Sequence, residues 1–352
     1  VSSASYLHNA WYQAGWSDEL AEGAPLVRTV LEQPIMFWRD SGGRAHALLD
    51  MCPHRFVPLS SGLVSDDRVV CGYHGLAFGA DGRCVHNPHG PVTSAMRVRS
   101  FPVFERHLAI WVWLGDPELA DTALLPDLSF IDNAPASARI KGYMPTAADY
   151  RLLTDNIMDL SHADYLHPSS LGGAMTSAKA TSTDNGASIM ARWEAHDTDP
   201  IPAARASIPE GAKADFWIQV DWHVPALMVL STATTVSGTP SQASDEAWTL
   251  HNMVPGEAGR THYFFCSVRG FMTEDAAFGA YLEKTLRHAF EHEDKSILEA
   301  QQARIGNRDF WALSPILLKT DAAAVRVRRK LDKLIAEQAA HQGGERTTGE
   351  TL

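Results

Sequence analysis

Four side chains in the first quarter of the chain have the types and spacing of metal ligands. Cys52-Pro-His54 and Cys71-Gly-Tyr-His74 read C-x-H and C-x2-H, with sixteen residues between them. Two thiolates and two imidazoles can hold a single structural zinc ion. They can also hold a [2Fe–2S] cluster, with two Cys on one iron and two His on the other. Each half supplies one Cys and one His, and each sits among turn formers. Pro53 and Pro58 flank the first half, Gly72 and Gly75 the second. Two loops that each give one Cys and one His suit a cluster with two distinct irons. A C2H2 finger would pair Cys with Cys and place its His pair on a helix.

A second stretch also carries chemistry: Asp155-Asn156-Ile-Met-Asp159-Leu-Ser-His162-Ala-Asp-Tyr-Leu-His167. Leu153, Ile157, Leu160 and Ala163 recur at near-helical spacing, which predicts a helix over 150–164. On that helix Asp155, Asp159 and His162 stand at i, i+4 and i+7 and share a face. His167 precedes Pro168, which disfavours further helix, so it falls just past the helix end. Two His and one carboxylate make a facial triad, the usual non-haem Fe(II) site with open positions. The third ligand must come from elsewhere. A long helix predicted over 275–304 offers Glu291, Glu293 and Asp294. Leu282, Leu286, Ala289, Phe290 and Ile297 define its apolar stripe, and both Glu293 and Asp294 fall inside it. Helical phase therefore does not choose between them. A carboxylate in such a stripe is costly to bury unless paired or metal-bound.

The elements that must position these residues read as α+β. Residues 1–116 are mostly short strands and turns: a hairpin of Pro34–Arg39 and Ala45–Leu49, a tight turn at Gly79–Gly82, and a strong strand at Leu108–Leu114. Residues 117–138, rich in Ala, Pro and Asp, read as a linker. In 139–343, strand-like runs at 188–193, 216–222, 226–232, 248–254 and 262–269 follow one another without helices, which argues for an antiparallel sheet. On the run 248–254, His251 and Asn252 face opposite sides, and His251 is the candidate for a hydrogen bond to substrate. The polar tail, 344–352, is expected to lack fixed structure.

Composition narrows the function classes. The 352 residues carry 30 basic and 42 acidic side chains, a net charge of −12, which argues against nucleic acid as a partner. No run of about 18 apolar residues exists, so no membrane span is expected. Residues 1–10 lack a basic and apolar leader pattern, so no signal peptide is expected. Four cysteines are too few for a disulfide scaffold and suit a reduced, cytoplasmic setting. Cys84 and Cys266 read as reduced, partly buried thiols.

The stretch Cys52-Pro-His-Arg55 to Cys71-Gly-Tyr-His-Gly75 resembles the Rieske domain of aromatic-ring and demethylating oxygenases. Asn9-Ala-Trp-Tyr12, Cys84-Val-His-Asn-Pro88 and Ser100-Phe-Pro-Val103 extend the likeness over nearly the whole chain, toward the vanillate and dicamba O-demethylase group of terminal oxygenases. The resemblance implies an all-β Rieske domain followed by a helix-grip (START-like) catalytic domain. It implies a [2Fe–2S] cluster on Cys52, His54, Cys71 and His74. It also implies a mononuclear Fe(II) on His162, His167 and Asp294, because Asp159-x2-His162-x4-His167 matches the family's D-x2-H-x4-H; Glu293 is the fallback for Asp294. Asp159 would bridge a cluster histidine of one subunit to an iron-ligating histidine of the next, in a homotrimer, and Asn156 would lie near the iron. The implied reaction is O-demethylation of a methoxylated, vanillate-like aromatic acid by dioxygen. Electrons would come from NAD(P)H through a separate reductase or ferredoxin, since no Rossmann or flavin fingerprint is present. Rivals are another aromatic oxygenation (ring dihydroxylation, N-demethylation or methyl hydroxylation) and a Rieske electron carrier. The long region after the first domain disfavours the carrier.

Overall fold

The computed structural model describes residues 6–348, with side chains to residue 341. The chain divides into two compact units. One comprises 8–127 with 254–258; the other comprises, among the described residues, 6–7, 128–253 and 259–348. The division falls inside the stretch read as a linker. That stretch holds short helical turns at Pro117–Leu119, Thr122–Leu124 and Ala136–Ala138 and a helix at Ser129–Asn133. Asp116 and Asp121 cap the first two by accepting backbone N–H groups, as N-cap aspartates do. Segment 254–258 belongs with the N-terminal unit because the Leu31 and Glu32 N–H groups donate to the Pro255 and Gly256 carbonyls. A boundary drawn along the sequence does not reveal that return.

The N-terminal unit is built from three small sheets. Trp11–Trp16, Ala109–Trp113 and Val103–Arg106 form one; the middle strand is buried along its whole length. The predicted hairpin is present, with Ile35 opposite Leu49 and Arg39 opposite Ala45. The third sheet runs Leu63–Ser65, Arg68–Val70, Ala77–Phe78 and Cys84–His86. Met36, Trp38, Leu48, Leu59, Val69 and Phe78 pack into one core with Cys52, Cys71 and Cys84.

The other unit is organised by a seven-stranded antiparallel sheet. In spatial order its strands are Arg139–Thr146, Thr261–Arg269, Glu246–Pro255, Leu227–Val236, Ala214–His223, Ser188–Thr198 and Lys179–Asp184. Every strand read from the sequence in this region is there. The two edge strands, Arg139–Thr146 and Lys179–Asp184, were not predicted. Along Ala214–His223 the buried side chains are Ala214, Phe216, Val220 and Trp222, the alternation of a strand with one covered face.

Both predicted helices carry an irregularity that changes the site. The helix expected over 150–164 stops at Met158. Asp159 adopts extended backbone (φ −133°, ψ 93°), and its carboxylate accepts the Ser161 N–H at 3.0 Å, capping a 3-10 turn over Leu160–His162. A short helix, Ala163–Leu166, follows. Aspartate competes with the helix for backbone N–H groups, and here it wins. Asp155, Asp159 and His162 therefore do not share one continuous face. Asp155 turns to Arg328, with nitrogen–oxygen distances of 2.6 to 2.9 Å. Arg328 lies on a helix over Ala322–Thr348 that was not predicted, although Ala324, Val327, Leu331 and Ile335 bury one face of it. The helix runs through the first residues of the polar tail, a correction to the expected lack of structure there; the rest of the tail lies outside the described residues.

The second predicted helix is Ala276–Arg287, capped by Asp275, then a π-helical turn over His288–Asp294, then Lys295–Ile305. A π turn closes i→i+5 rather than i→i+4, so it shifts the phase of everything after it. The predicted stripe fails accordingly at Ile297, which is 51% exposed, and Leu298 takes the inward position. Among the described residues no helix is long and apolar enough to cross a membrane.

Candidate metal centres

The two Cys/His loops are built on the same hydrogen-bond plan. In the first, the Cys52 N–H donates to Val57 and the Phe56 N–H donates back to Cys52. In the second, the Cys71 N–H donates to Leu76 and the Gly75 N–H donates back to Cys71. The residue four after each cysteine takes the left-handed conformation: Phe56 at φ 60° and Gly75 at φ 74°. For Phe56 that geometry is strained, at roughly 1–2 kcal/mol. A third glycine locks the loops together: a Cβ on Gly62 would collide with the Val70 carbonyl. Both thiols are buried, whereas His54 is exposed and His74 half-buried, their ring centroids 4.5 Å apart. The His89 ring Nε2 lies 3.0 Å from the His74 carbonyl. All four predicted residues thus converge, sulfur side inward and imidazole side outward.

The second centre draws on elements far apart in sequence. His162, His167 and Asp294 offer ligand atoms that all lie within 4.8 Å of one another. Asp294 Oδ1 is 3.1 Å from His167 Nε2 and 3.5 Å from His162 Nε2. Each ring is held from behind through Nδ1. His162 Nδ1 lies 2.7 Å from the Asp159 carbonyl, and His167 Nδ1 lies 2.8 Å from Glu293 Oε2. With Nδ1 donating, each Nε2 lone pair faces the same point. The helix break at Asp159 and the π turn at 288–294 create this geometry: one turns a carbonyl to His162, the other sets consecutive carboxylates on the two nitrogens of His167. Asn156 Nδ2 donates to Asp294 Oδ1 at 3.0 Å and lies 3.4 Å from His162 Nε2. Burial disfavours a charged His167, yet Asp294 and Glu293 outweigh it and raise its pKa.

The three residues stand in the wall of a cavity of about 390 Å³, inside the range of roughly 300–1,000 Å³ usual for small-molecule sites. The wall is mostly aliphatic, with Leu160, Leu230, Leu282 and Leu286 among its residues and Phe290 on the π turn. His251 also lines it. That ring is 1% exposed, with Nδ1 at 2.6 Å from the Tyr263 hydroxyl, and burial pulls its pKa down to about 3, so it is neutral.

Residues 10–102 match the Rieske [2Fe-2S] domain, and residues 146–337 match the vanillate O-demethylase oxygenase C-terminal domain. The dicamba O-demethylase oxygenase component of Stenotrophomonas maltophilia is 37% identical over 346 residues, 96% of this chain and the whole of that protein. The chain belongs to the vanillate O-demethylase family of Rieske oxygenases. The chloroacetanilide N-alkylformylase oxygenase component of Rhizorhabdus wittichii is 35% identical, covering 94% of this chain and 96% of its own. The crystal structure of dicamba monooxygenase bound to dicamba superposes with a TM-score of 0.87 at 36% identity, over 95% of this chain and 98% of that one.

The donor sets of this Rieske oxygenase suit the two iron groups of its family. At the first centre, two buried thiols sit close enough that burial and their mutual contact both raise the Cys52 pKa, a strain that a cationic cluster relieves. His74 Nδ1 is buried without a hydrogen-bond partner among the described residues. At the second, two oriented imidazoles and one carboxylate are the donor set of non-haem Fe(II). Sequence reasoning left Glu293 as an alternative to Asp294; the coordinates put its carboxylate on the far side of His167. It missed the Asp159 carbonyl altogether, because a backbone acceptor has no signature in residue type.

Proposed function

We propose that this oxygenase O-demethylates a methoxylated aromatic compound. The observation that carries the reading is the position of the His162–His167–Asp294 triad in the wall of an apolar cavity sized for an aromatic ring. In this reading Cys52, His54, Cys71 and His74 hold the [2Fe–2S] cluster, and His162, His167 and Asp294 hold Fe(II). The bound irons supply electron relay and dioxygen activation. The aliphatic wall excludes water and holds the methoxy carbon against the triad. Glu293 and the Asp159 carbonyl keep both ring Nδ1–H groups in place, so neither imidazole rotates away. Asn156 steadies the Asp294 carboxylate. The balance is one methoxyarene, one dioxygen, two electrons and two protons, giving water and a hemiacetal that collapses to phenol and formaldehyde.

The electrons come from NAD(P)H through a separate reductase or ferredoxin. The functional unit is a homotrimer in which the Asp159 carboxylate of one subunit meets a cluster histidine of the next. Four unpaired cysteines support a cytoplasmic setting. The near-equal likeness to an N-alkylformylase component supports a second reading, oxidative removal of an N-alkyl group. The deciding assay supplies a surrogate reductase and a panel of methoxyarenes and N-alkylarenes, and measures formaldehyde and phenol. Formaldehyde with phenol from methoxyarenes supports the first reading; turnover of the N-alkyl compounds alone would replace it with the second. Asp159→Asn tests the bridge: unchanged electron transfer between the metals would remove it.

A further inference from the structure

The wall of the catalytic cavity has a charge pattern that narrows the substrate, given the O-demethylase reading. Beyond the triad, the described residues of the wall include no lysine and no arginine, and the one additional charged side chain among them is acidic, Asp245. Four of the hydroxyls that might have served as donors are already engaged. Thr232 Oγ1 donates to the Trp217 carbonyl at 2.9 Å, and Thr235 Oγ1 to the Thr239 carbonyl at 2.7 Å. Ser207 Oγ donates to the Ala204 carbonyl at 2.7 Å, and Thr249 Oγ1 to Ser267 Oγ at 3.1 Å. The other polar groups of the wall are the neutral hydroxyls of Thr234, Thr239 and Ser267 and the imidazole of His251. The His251 Nδ1 meets Tyr263, its ring stands edge-on to Phe290 at 5.5 Å, and its Nε2 has no partner among the described residues.

An ionised carboxylate entering this cavity would lose its water beside Asp245, with no lysine or arginine among the described wall residues to answer its charge. It would gain only neutral hydroxyl and imidazole contacts in return. A buried carboxylate needs a cation or several N–H donors to offset desolvation. An ether, ester or amide needs one hydrogen bond, which a single imidazole supplies. We propose that this pocket selects uncharged methoxyarenes and discriminates against arene carboxylates. The resemblance alone implied an aromatic acid; the wall residues favour its uncharged counterpart.

The test uses matched pairs: 3- and 4-methoxybenzoate against their methyl esters and primary amides. Binding to the iron-loaded enzyme is measured by calorimetry at pH 7.5. The uncharged member of each pair is expected to bind at least tenfold more tightly. A carboxylate that binds as well as its ester and amide overturns the proposal, and so does failure of every uncharged member to bind. Leu230→Arg adds a cation to the wall and is expected to shift the preference at least tenfold toward carboxylates; Thr232→Lys is the second variant should the first not fold. An unshifted preference in the folded variants counts against the proposal. Formaldehyde is measured separately. Tight binding of uncharged members without formaldehyde supports the charge preference and removes the demethylase reading. Formaldehyde from the carboxylates alone does the reverse.

Discussion

Glu293 does not face the triad, yet its removal is expected to weaken the mononuclear site. Its Oε2 lies 2.8 Å from Nδ1 of His167, a ring whose side chain is 2% exposed. Truncation to alanine leaves that buried N–H without its charged acceptor, a loss of about 1.5–3 kcal/mol. The Glu293 side chain is 20% exposed, so water replaces part of the contact and the lower half of that range applies. At about 1.4 kcal/mol per decade, the expected loss in metal affinity is about ten- to fortyfold. Carboxylates behind metal-bound imidazoles have effects of that order. Glu293→Gln keeps an acceptor oxygen and is expected to stay within about threefold of the parent. The assay is calorimetric titration of Co(II) into protein that retains its cluster but lacks the mononuclear metal. Cluster absorbance and the thermal midpoint confirm that each variant is folded. Unchanged affinity in Glu293→Ala, beside complete loss in Asp294→Ala, would refute the orienting role.

Other expectations follow from groups outside the cavity. Asp155→Ala strands the Arg328 guanidinium, which is 5% exposed, and is expected to destabilise the protein by about 3–5 kcal/mol, read as a lower urea midpoint; Arg328→Met in the same background should recover part of the loss. Burial pushes the Cys266 thiol up to about 12, so mass spectrometry after iodoacetamide at pH 8 is expected to find it unlabelled until the protein is denatured. The hydrogen bond from Arg39 holds Glu105 below its ordinary pKa. Asp164 is held at about 2, because the Thr176 hydroxyl and the N–H groups of Gly173, Met175 and Thr176 outweigh its burial. Below about pH 4 the unfolded chain binds the protons of these two groups more tightly, so stability falls as pH falls and is fully restored above about pH 5. A urea midpoint that stays level from pH 6 to pH 3 would contradict this.

Much of the site was legible in the residues because its signals are local. The four residues proposed to hold the cluster lie within two short loops, where Pro and Gly mark the turns and spacing alone limits the ligand set. Histidines 162 and 167 were legible for the same reason. What stayed hidden were departures from regular helix. A continuous helix through Asp159 was the natural reading of Leu153, Ile157 and Leu160, but a capping carboxylate broke it. The apolar stripe that ran to Ile297 assumed one α phase throughout, and the π turn reset it. The Ala322–Thr348 helix was overlooked although its apolar face is periodic.

By itself the sequence determined the donor chemistry: two Cys/His loops, a pair of histidines near a helix end, and a pair of adjacent carboxylates. Those are properties of residue type and short spacing. Tertiary structure decided which carboxylate points where. Asp294 meets His167 from 127 positions further along the chain, and its phase is set by a π turn that no residue pattern announced. Tertiary structure also decided the charge of the cavity. Its wall is assembled from strands and helices separated by most of the unit, and whether a lysine or a threonine reaches the substrate depends on how they converge.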